Sequence, residues 1–293
     1  MEFVTYLIPT INLATKGRVL VIGSNGVTTD EIMQWALEIA GQDQVPVDSA
    51  IYVAGQNIRR VLFGIDVNAA DLELGKALGV DLVMAHHPAD ALVNFPQIFE
   101  RHVELMVRAG VPRERAWSAI EPMTERWHDR FHSANYDHVV SVARLLQLPF
   151  MNIHNPLDEL GRQRMAAAVG GILPTEPIKN VVAALHTLDE IRNAPVRPEV
   201  AVGSLEAAAG RIVVVHGAGT NGGYEIAREY FNHGIGTVIY IHLATDAKLK
   251  LRQEAAGNVI VVGHLPGDLV GIEPFSQLMR RNGLEVIGFS GIA

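Results

Sequence analysis

The segment DLVMAHHPAD sets His86 and His87 side by side at the end of an apolar, strand-like run, where paired imidazoles are candidate metal ligands. Successive residues of an extended chain point to opposite sides, and Pro88 biases His87 towards extended geometry. The two rings would not readily chelate one ion. They could serve two ions side by side, as in hydrolytic centres whose ions lie roughly 3.5 to 4 Å apart. Two further histidines have a carboxylate four residues on, His154 with Asp158 in HNPLD and His264 with Asp268 in HLPGD. Both segments contain proline and begin as turns. A strand-end histidine and a carboxylate entering the next helix can converge on one ion, and imidazole with carboxylate suits Mn, Fe, Co, Ni or Zn. An aspartate so placed also reads as a helix N-cap, so spacing alone does not decide between the two roles.

These histidines belong to a larger set. His86, His154, His186, His216, His242 and His264, half of the 12 in the chain, each follow an apolar strand-like run directly or after one residue. The carboxyl ends of strands line the ligand crevice of open α/β sheets, which gives polar residues there special weight. The plainer reading is that histidine, intermediate in burial, ends strands where the chain meets water. HTLDE at His186 imitates HNPLD with one residue fewer and is a decoy. His102, His128, His132 and His138 lie in helical patterns and His233 precedes Gly234 at a helix end, all structural positions, while Trp117 and Trp127 read as core or interface anchors.

HGAGTNGG satisfies Gly-x-Gly-x-x-Gly through Gly217, Gly219 and Gly222, between a strand and a helix. A dinucleotide site also needs an acid at the end of the next strand, and that strand ends in Ile241 and His242. The loop lacks Gly-Lys-Ser/Thr and is no P-loop. Its remaining function is to offer backbone N–H groups to a phosphate or carboxylate of a substrate.

Positioning such residues requires strands alternating with helices, and the chain has that rhythm. Short β-branched runs predict strands at 18–22, 60–67, 81–85, 150–153, 181–185, 211–215, 237–241, 258–262 and 285–289, most of them apolar enough to be covered on both faces. Helical spacing dominates 96–148, an insertion between two strands of the first lobe. GGILPTEPI, near 170–178, could join two lobes. The expectation is an α/β protein of two lobes with mixed or mostly parallel sheets, 1–170 and 171–293, with the metal site in the cleft between them and the last segment packing back on the first lobe.

Bulk composition narrows the chemistry. With 293 residues and 48% hydrophobic content the chain can bury a substantial core. A net charge of −8 with no basic run gives nucleic-acid binding little electrostatic support and leaves small molecules and metal ions as partners. Having no cysteine, the chain has no disulfide, thiolate zinc site or cysteine nucleophile. MEFVTYLIPTINLATKGRV lacks a basic n-region, carries Glu2 and is interrupted by Pro9, so neither signal peptide nor membrane anchor is expected and the reading is cytoplasmic.

Together these segments resemble the Nif-three-like (NGG-interacting-factor-three-like) family, the group of the GTP cyclohydrolase I type 2 homologues. NIRRVLFGIDVNAADLELGKALGVDLVMAHHP looks like the family's strand, helix and double-histidine strand, and HNPLDE stands where the family has His-Thr-Asn-Leu-Asp. RIVVVHGAGTNGGYEIAREYFNHGIGTVIY resembles its glycine-loop segment and VVGHLPGD its Gly-His-x-x-x-Glu ending. The resemblance implies a dinuclear metal centre in a toroidal homo-hexamer, with ligands on His86, His87, Asp158, His264 and Asp268. It does not implicate His154. The chain departs from the family in Asp268, one methylene shorter than the usual glutamate, in DSAIYVAG for an Asp-Asn-x-Gly-Leu segment, and in YIHLATDAKLK for a histidine-rich stretch.

The functional expectation is a metal-dependent hydrolase holding two divalent ions and acting on a nucleotide-like or phosphoester substrate, with His216 and His242 as candidates for substrate contact or proton transfer. A metal-binding regulatory or assembly protein without turnover is the alternative. A nicotinamide-dependent enzyme built on the glycine loop is a third reading.

Overall fold

The computed structural model describes residues 26–89 and 94–293, so the strand expected at 18–22 lies outside the described residues. The first half runs α1 (Thr29–Ala40), β1 (Ala50–Val53), β2 (Arg60–Gly64), α2 (Ala69–Leu78) and β3 (Leu82–Ala85). A 3-10 turn at Phe95–Phe99 then opens a helical stretch, α3 (Glu100–Arg108), α4 (Arg113–His132) and α5 (His138–Leu146), before β4 (Phe150–Asn152) and α6 (Asn155–Val169). The rest comprises α7 (Ile178–Leu185), α8 (Asp189–Arg192), β5 (Glu199–Val202), β6 (Arg211–Val214) and α9 (Gly223–Asn232). It closes with β7 (Ile235–Tyr240), α10 (Thr245–Glu254), β8 (Asn258–Val261), α11 (His264–Arg281) and β9 (Glu285–Phe289).

Two sheets result, with strand orders β1-β4-β3-β2-β9 and β5-β8-β7-β6. Their inner pairings are parallel, and β1 and β5 add antiparallel edges. Helices cover both faces, so β3 reads LVMA with every residue buried. Local chemistry fixes the helix ends: α1 and α2 each begin in a capping box, Thr28 with Glu31 and Asn68 with Asp71, and end in left-handed Gly41 and Gly79.

The α/β architecture with two mostly parallel sheets and a helical insertion at 96–148 is as the sequence indicates. One strand assignment is corrected. Residues 181–185 belong to α7, because Ile178, Val181 and Leu185 are the buried positions and recur at helical spacing after Pro177, so the β-branched run is a helix face. His186 caps the end of this helix, and its place among strand-terminal histidines is withdrawn. The edge strands β1 and β5 escaped the sequence reading. Both are four residues long and incompletely buried; β5 opens on a charged residue, and β1, AIYV, is a short apolar run closed at once by Ala54 and Gly55.

Two long helices bring the sheets together. α6 leaves the first sheet, α11 leaves the second, and they touch at Gly161 and Gly271, where a Cβ on Gly271 would stand 1.9 Å from the Leu157 carbonyl oxygen. Gly271→Ala must push the helices apart, and overpacking of this kind costs about 1 to 3 kcal/mol. The variant is therefore expected to lose stability in denaturant melts, and an unchanged unfolding midpoint would refute the contact as essential.

His102 on α3 is fully buried beside Phe99, and burial pushes its imidazole down to about 4. Between that value and the ordinary 6.5, the unfolded chain binds a proton that the folded chain refuses, so stability is lost as the pH falls through this window. Stability of the parent relative to His102→Leu should drop by about 2 to 3 kcal/mol from pH 7 to pH 4. Parallel pH profiles of the two proteins in urea titrations would contradict this.

Candidate metal centre

The carboxyl ends of strands from both sheets converge on one histidine and aspartate cluster. His86 and His87 follow β3 directly, His154 follows β4, His216 follows β6 and His264 begins α11 after β8. Asp158 stands in the first turn of α6 and Asp268 just beyond the first turn of α11, four residues beyond His154 and His264. Neither is an N-cap: the caps are His154 and Gly263, and both helices tolerate an early proline, Pro156 or Pro266, where the missing N–H has no intrahelical partner to lose.

The five residues indicated by the resemblance lie together. Asp158 Oδ1 is 3.2 Å from His86 Nε2, and Asp268 Oδ2 is 3.2 Å from His264 Nε2, 3.6 Å from His87 Nε2 and 3.9 Å from His86 Nε2. Three sets of donor atoms lie close enough to surround an ion: His86, His87 and His154; His87, His264 and Asp268; and His86, Asp158 and Asp268. The alternation expected of His86 and His87 does not hold. β3 ends at Ala85, and the two rings tilt at 37° with centroids 5.1 Å apart, facing the same cluster. Asp268, despite its shorter side chain, reaches three imidazoles with a single oxygen.

Three rings are held from behind. His86 Nδ1 donates to the Ile153 carbonyl at 3.0 Å, His87 Nδ1 to Asp66 at 2.7 Å and His154 Nδ1 to Asp48 at 2.8 Å. Each bond selects the tautomer that leaves Nε2 free to face the cluster, the usual arrangement behind a metal-binding histidine. Sequence reasoning missed Asp48 and Asp66. Asp48 opens DSAIYVAG, the segment in which the chain departs from the family, and Asp66 follows β2 at the same, carboxyl, end of the parallel strands as His86. His154, not implicated by the resemblance, also faces the cluster, its Nε2 3.4 Å from Asp158.

Burial opposes ionisation of Asp158, but the imidazoles of His216, His154 and His86 outweigh it and hold the carboxyl below the usual range. Asp268 is likewise held well below, burial being overcome by His264, His87 and His86. His154 is pushed up to about 9, because Asp158 and Asp48 override the effect of burial. His86 instead moves down, since burial there exceeds the pull of Asp158 and Asp268. Two buried carboxylates therefore draw positive charge into the site. The residues fit a cation on a second ground: His86 Nε2, Asp158 Oδ1, His216 Nε2 and Asp268 Oδ2 are all buried without a hydrogen-bond partner. Orphan polar atoms are costly and rare, and here four of them share one site.

His216 joins the cluster, with Nε2 3.5 Å from Asp158, whereas His242 lies at the exposed rim with its ring 5.0 Å from that of His264. The glycine loop is spoken for by protein. A Cβ at Gly219 would lie 2.2 Å from Ile98, one at Gly217 would meet Glu159, and one at Gly222 would meet Ile226. The Gly217 carbonyl accepts from Asn155 and Arg101, tying the helical insertion to α6. Close packing against α6 at Gly217 and against the insertion at Gly219 thus explains both glycines without any ligand.

Fold and cluster define a two-sheet α/β protein with a histidine and aspartate site that could hold metal at the junction of its sheets. A NIF3 superfamily protein from Sphaerobacter thermophilus shares 46% sequence identity, with 92% of this chain and 100% of that one superposed at a TM-score of 0.89. The chain belongs to the NIF3 superfamily. HcgD from Methanocaldococcus jannaschii, in its reduced form, superposes over 90% of this chain and 98% of its own with a TM-score of 0.55 and 14% identity. Protein SA1388 from Staphylococcus aureus does so over 90% and 97%, with a TM-score of 0.53 and 11% identity. These two distant matches concern the fold alone. No family model and no curated protein matches the chain. No helix among the described residues is long and apolar enough to cross a membrane.

Proposed function

We propose that this protein holds two divalent metal ions and is a metal-dependent hydrolase acting on a nucleotide-like or phosphoester substrate. The observation that carries the reading is the convergence of buried, unpartnered His86 Nε2, Asp158 Oδ1, His216 Nε2 and Asp268 Oδ2. Support for two ions comes from the donor sets His86, Asp158, Asp268 and His87, His264, Asp268, which differ in their other members and share Asp268. Bound ions of this kind supply Lewis acidity and an activated water near neutral pH.

In this proposal His86, His87 and His264 present neutral nitrogens, Asp158 and Asp268 present charge, and Ile153, Asp66 and Asp48 fix ring orientation from behind. Burial, followed by the neighbouring His264, holds the His242 imidazole below its ordinary value. His242 can therefore accept a proton at the rim, while His216 touches substrate from the buried side. An anion-binding role for the loop of Gly217, Gly219 and Gly222 is confined to the N–H groups at the start of α9, which no side chain caps. In this proposal the lobes are 1–170 and 171–293 and the chain assembles as a toroidal homo-hexamer, as the sequence resemblance implies, which light scattering would show as six times the chain mass.

Elemental analysis tests the site: about two ions per chain are expected, lost together in a His86→Ala/His87→Ala double variant, and a metal-free protein with intact fold would end the proposal. Assays on GTP, cyclic nucleotides and a generic phosphodiester with Mn²⁺ or Zn²⁺, controlled by Asp268→Ala, test turnover. Metal bound without turnover would select the regulatory or assembly reading.

A further inference from the structure

A cavity of about 220 Å³ opens beside the cluster, between the segment leading into β5, the residues after β7, and α10. Its lining includes Arg197, Glu199, Lys248, His242 and His264, and His264 is the residue it shares with the candidate metal centre. Neither Arg197 nor Lys248 has an ion-pair partner among the described residues, although Glu199 lines the same cavity. Arg197 is anchored by a single hydrogen bond to the Arg192 carbonyl, which leaves most of its guanidinium donors available.

From these residues we infer that the cavity receives the phosphate end of a phosphorylated sugar, whose other end extends over His242 and His264 towards the cluster. The inference rests on the proposed metal site for the direction in which the ligand lies. A forked guanidinium and a point-charge ammonium on one small cavity match a phosphate, which offers several acceptor oxygens and more than one negative charge. Glu199 repels an anion placed against it but accepts hydrogen bonds from hydroxyl groups, so it suits the polyol attached to the phosphate. The volume is below that of a whole-ligand pocket, roughly 300 to 1,000 Å³, and fits one end of a ligand.

The test uses full-length protein in two states, metal-loaded and chelator-treated, titrated by calorimetry with ribose 5-phosphate, inorganic phosphate and ribose. Ribose 5-phosphate is expected to bind in both states, since Arg197 and Lys248 belong to the chain and need no metal. Arg197→Ala and Lys248→Ala should each weaken it by roughly tenfold. Glu199→Gln removes a charge that repels phosphate along with an acceptor for hydroxyl groups, so it should bind inorganic phosphate at least as tightly as the parent and lower the preference for ribose 5-phosphate over inorganic phosphate. Binding present only in the loaded state would place the phosphate on the metal and overturn the inference, as would affinity indifferent to both cationic substitutions. Because the chelated protein carries the decisive measurement, failure of the cavity and failure of the metal site give different results. Arg197 is exposed and Lys248 half-buried, so their variants should fold, and metal content measured alongside should stay at the parent value.

Discussion

Asp268→Asn should abolish metal retention altogether, whereas Asp158→Asn should leave a partial complement. The reason is the sharing of one oxygen. Asp268 Oδ2 lies within 3.9 Å of His86, His87 and His264 and belongs to two of the three donor sets, while Asp158 belongs to one. Asparagine keeps the shape of the side chain and deletes the charge. Removing one partner from a buried charged site costs about 3 to 5 kcal/mol, which corresponds to a loss of roughly a hundred- to several-thousandfold in an affinity. Elemental analysis of the two variants after dialysis distinguishes the outcomes. Equal metal content in both would remove Asp268 from its shared role.

The second large effect is expected at Asp48, which touches no other member of the cluster than His154. Asp48 is fully buried, and its carboxylate accepts from His154 Nδ1 at 2.8 Å. Asp48→Ala leaves His154 buried among Asp158, His86 and His87 with its outer nitrogen unpaired and its ring free to turn. The cost to stability should be about 3 kcal/mol, at the lower edge of what breaking a buried pair costs. Metal affinity should fall by roughly 10- to 100-fold, as for other groups that orient a ligand. Asp66 makes the same kind of bond to His87, at 2.7 Å, but its side chain is 77% exposed. Water can replace it, so Asp66→Ala should cost under about 1 kcal/mol. Thermal melts of the two variants decide the matter, and equal losses would mean that burial does not set the scale.

The sequence alone disclosed the central strands because each is a short apolar run ending in a turn, and it disclosed the site because those ends carry histidine. It misread 181–185, where β-branched residues occupy a helix face, and it passed over β1 and β5, which are only four residues long and incompletely buried. It also inferred opposite orientations for His86 and His87 from strand alternation, which stops applying one residue before the pair. The ligand candidates could be read because spacing and family resemblance both point to them. Asp48 and Asp66 could not, since nothing local marks an aspartate as the partner of an imidazole supplied from 106 or 21 residues away. Likewise the glycine loop looked like a ligand site because close approach to any surface calls for glycine, and here that surface is Ile98 and Glu159.

The last strand adds a constraint on the order of events during synthesis. β9 pairs with β2 along residues 60–64, so the edge of the first sheet is completed by chain made more than 200 residues later. His264 and Asp268 also come late, after most of both sheets has emerged. Domains ordinarily fold as they leave the ribosome, beginning with the first. Here the first sheet must wait with an open edge, and contacts this distant in sequence slow folding. The candidate cluster can come together only after β8 and the start of α11 have been made, so the two donor sets that include Asp268 stay incomplete while the earlier strands form.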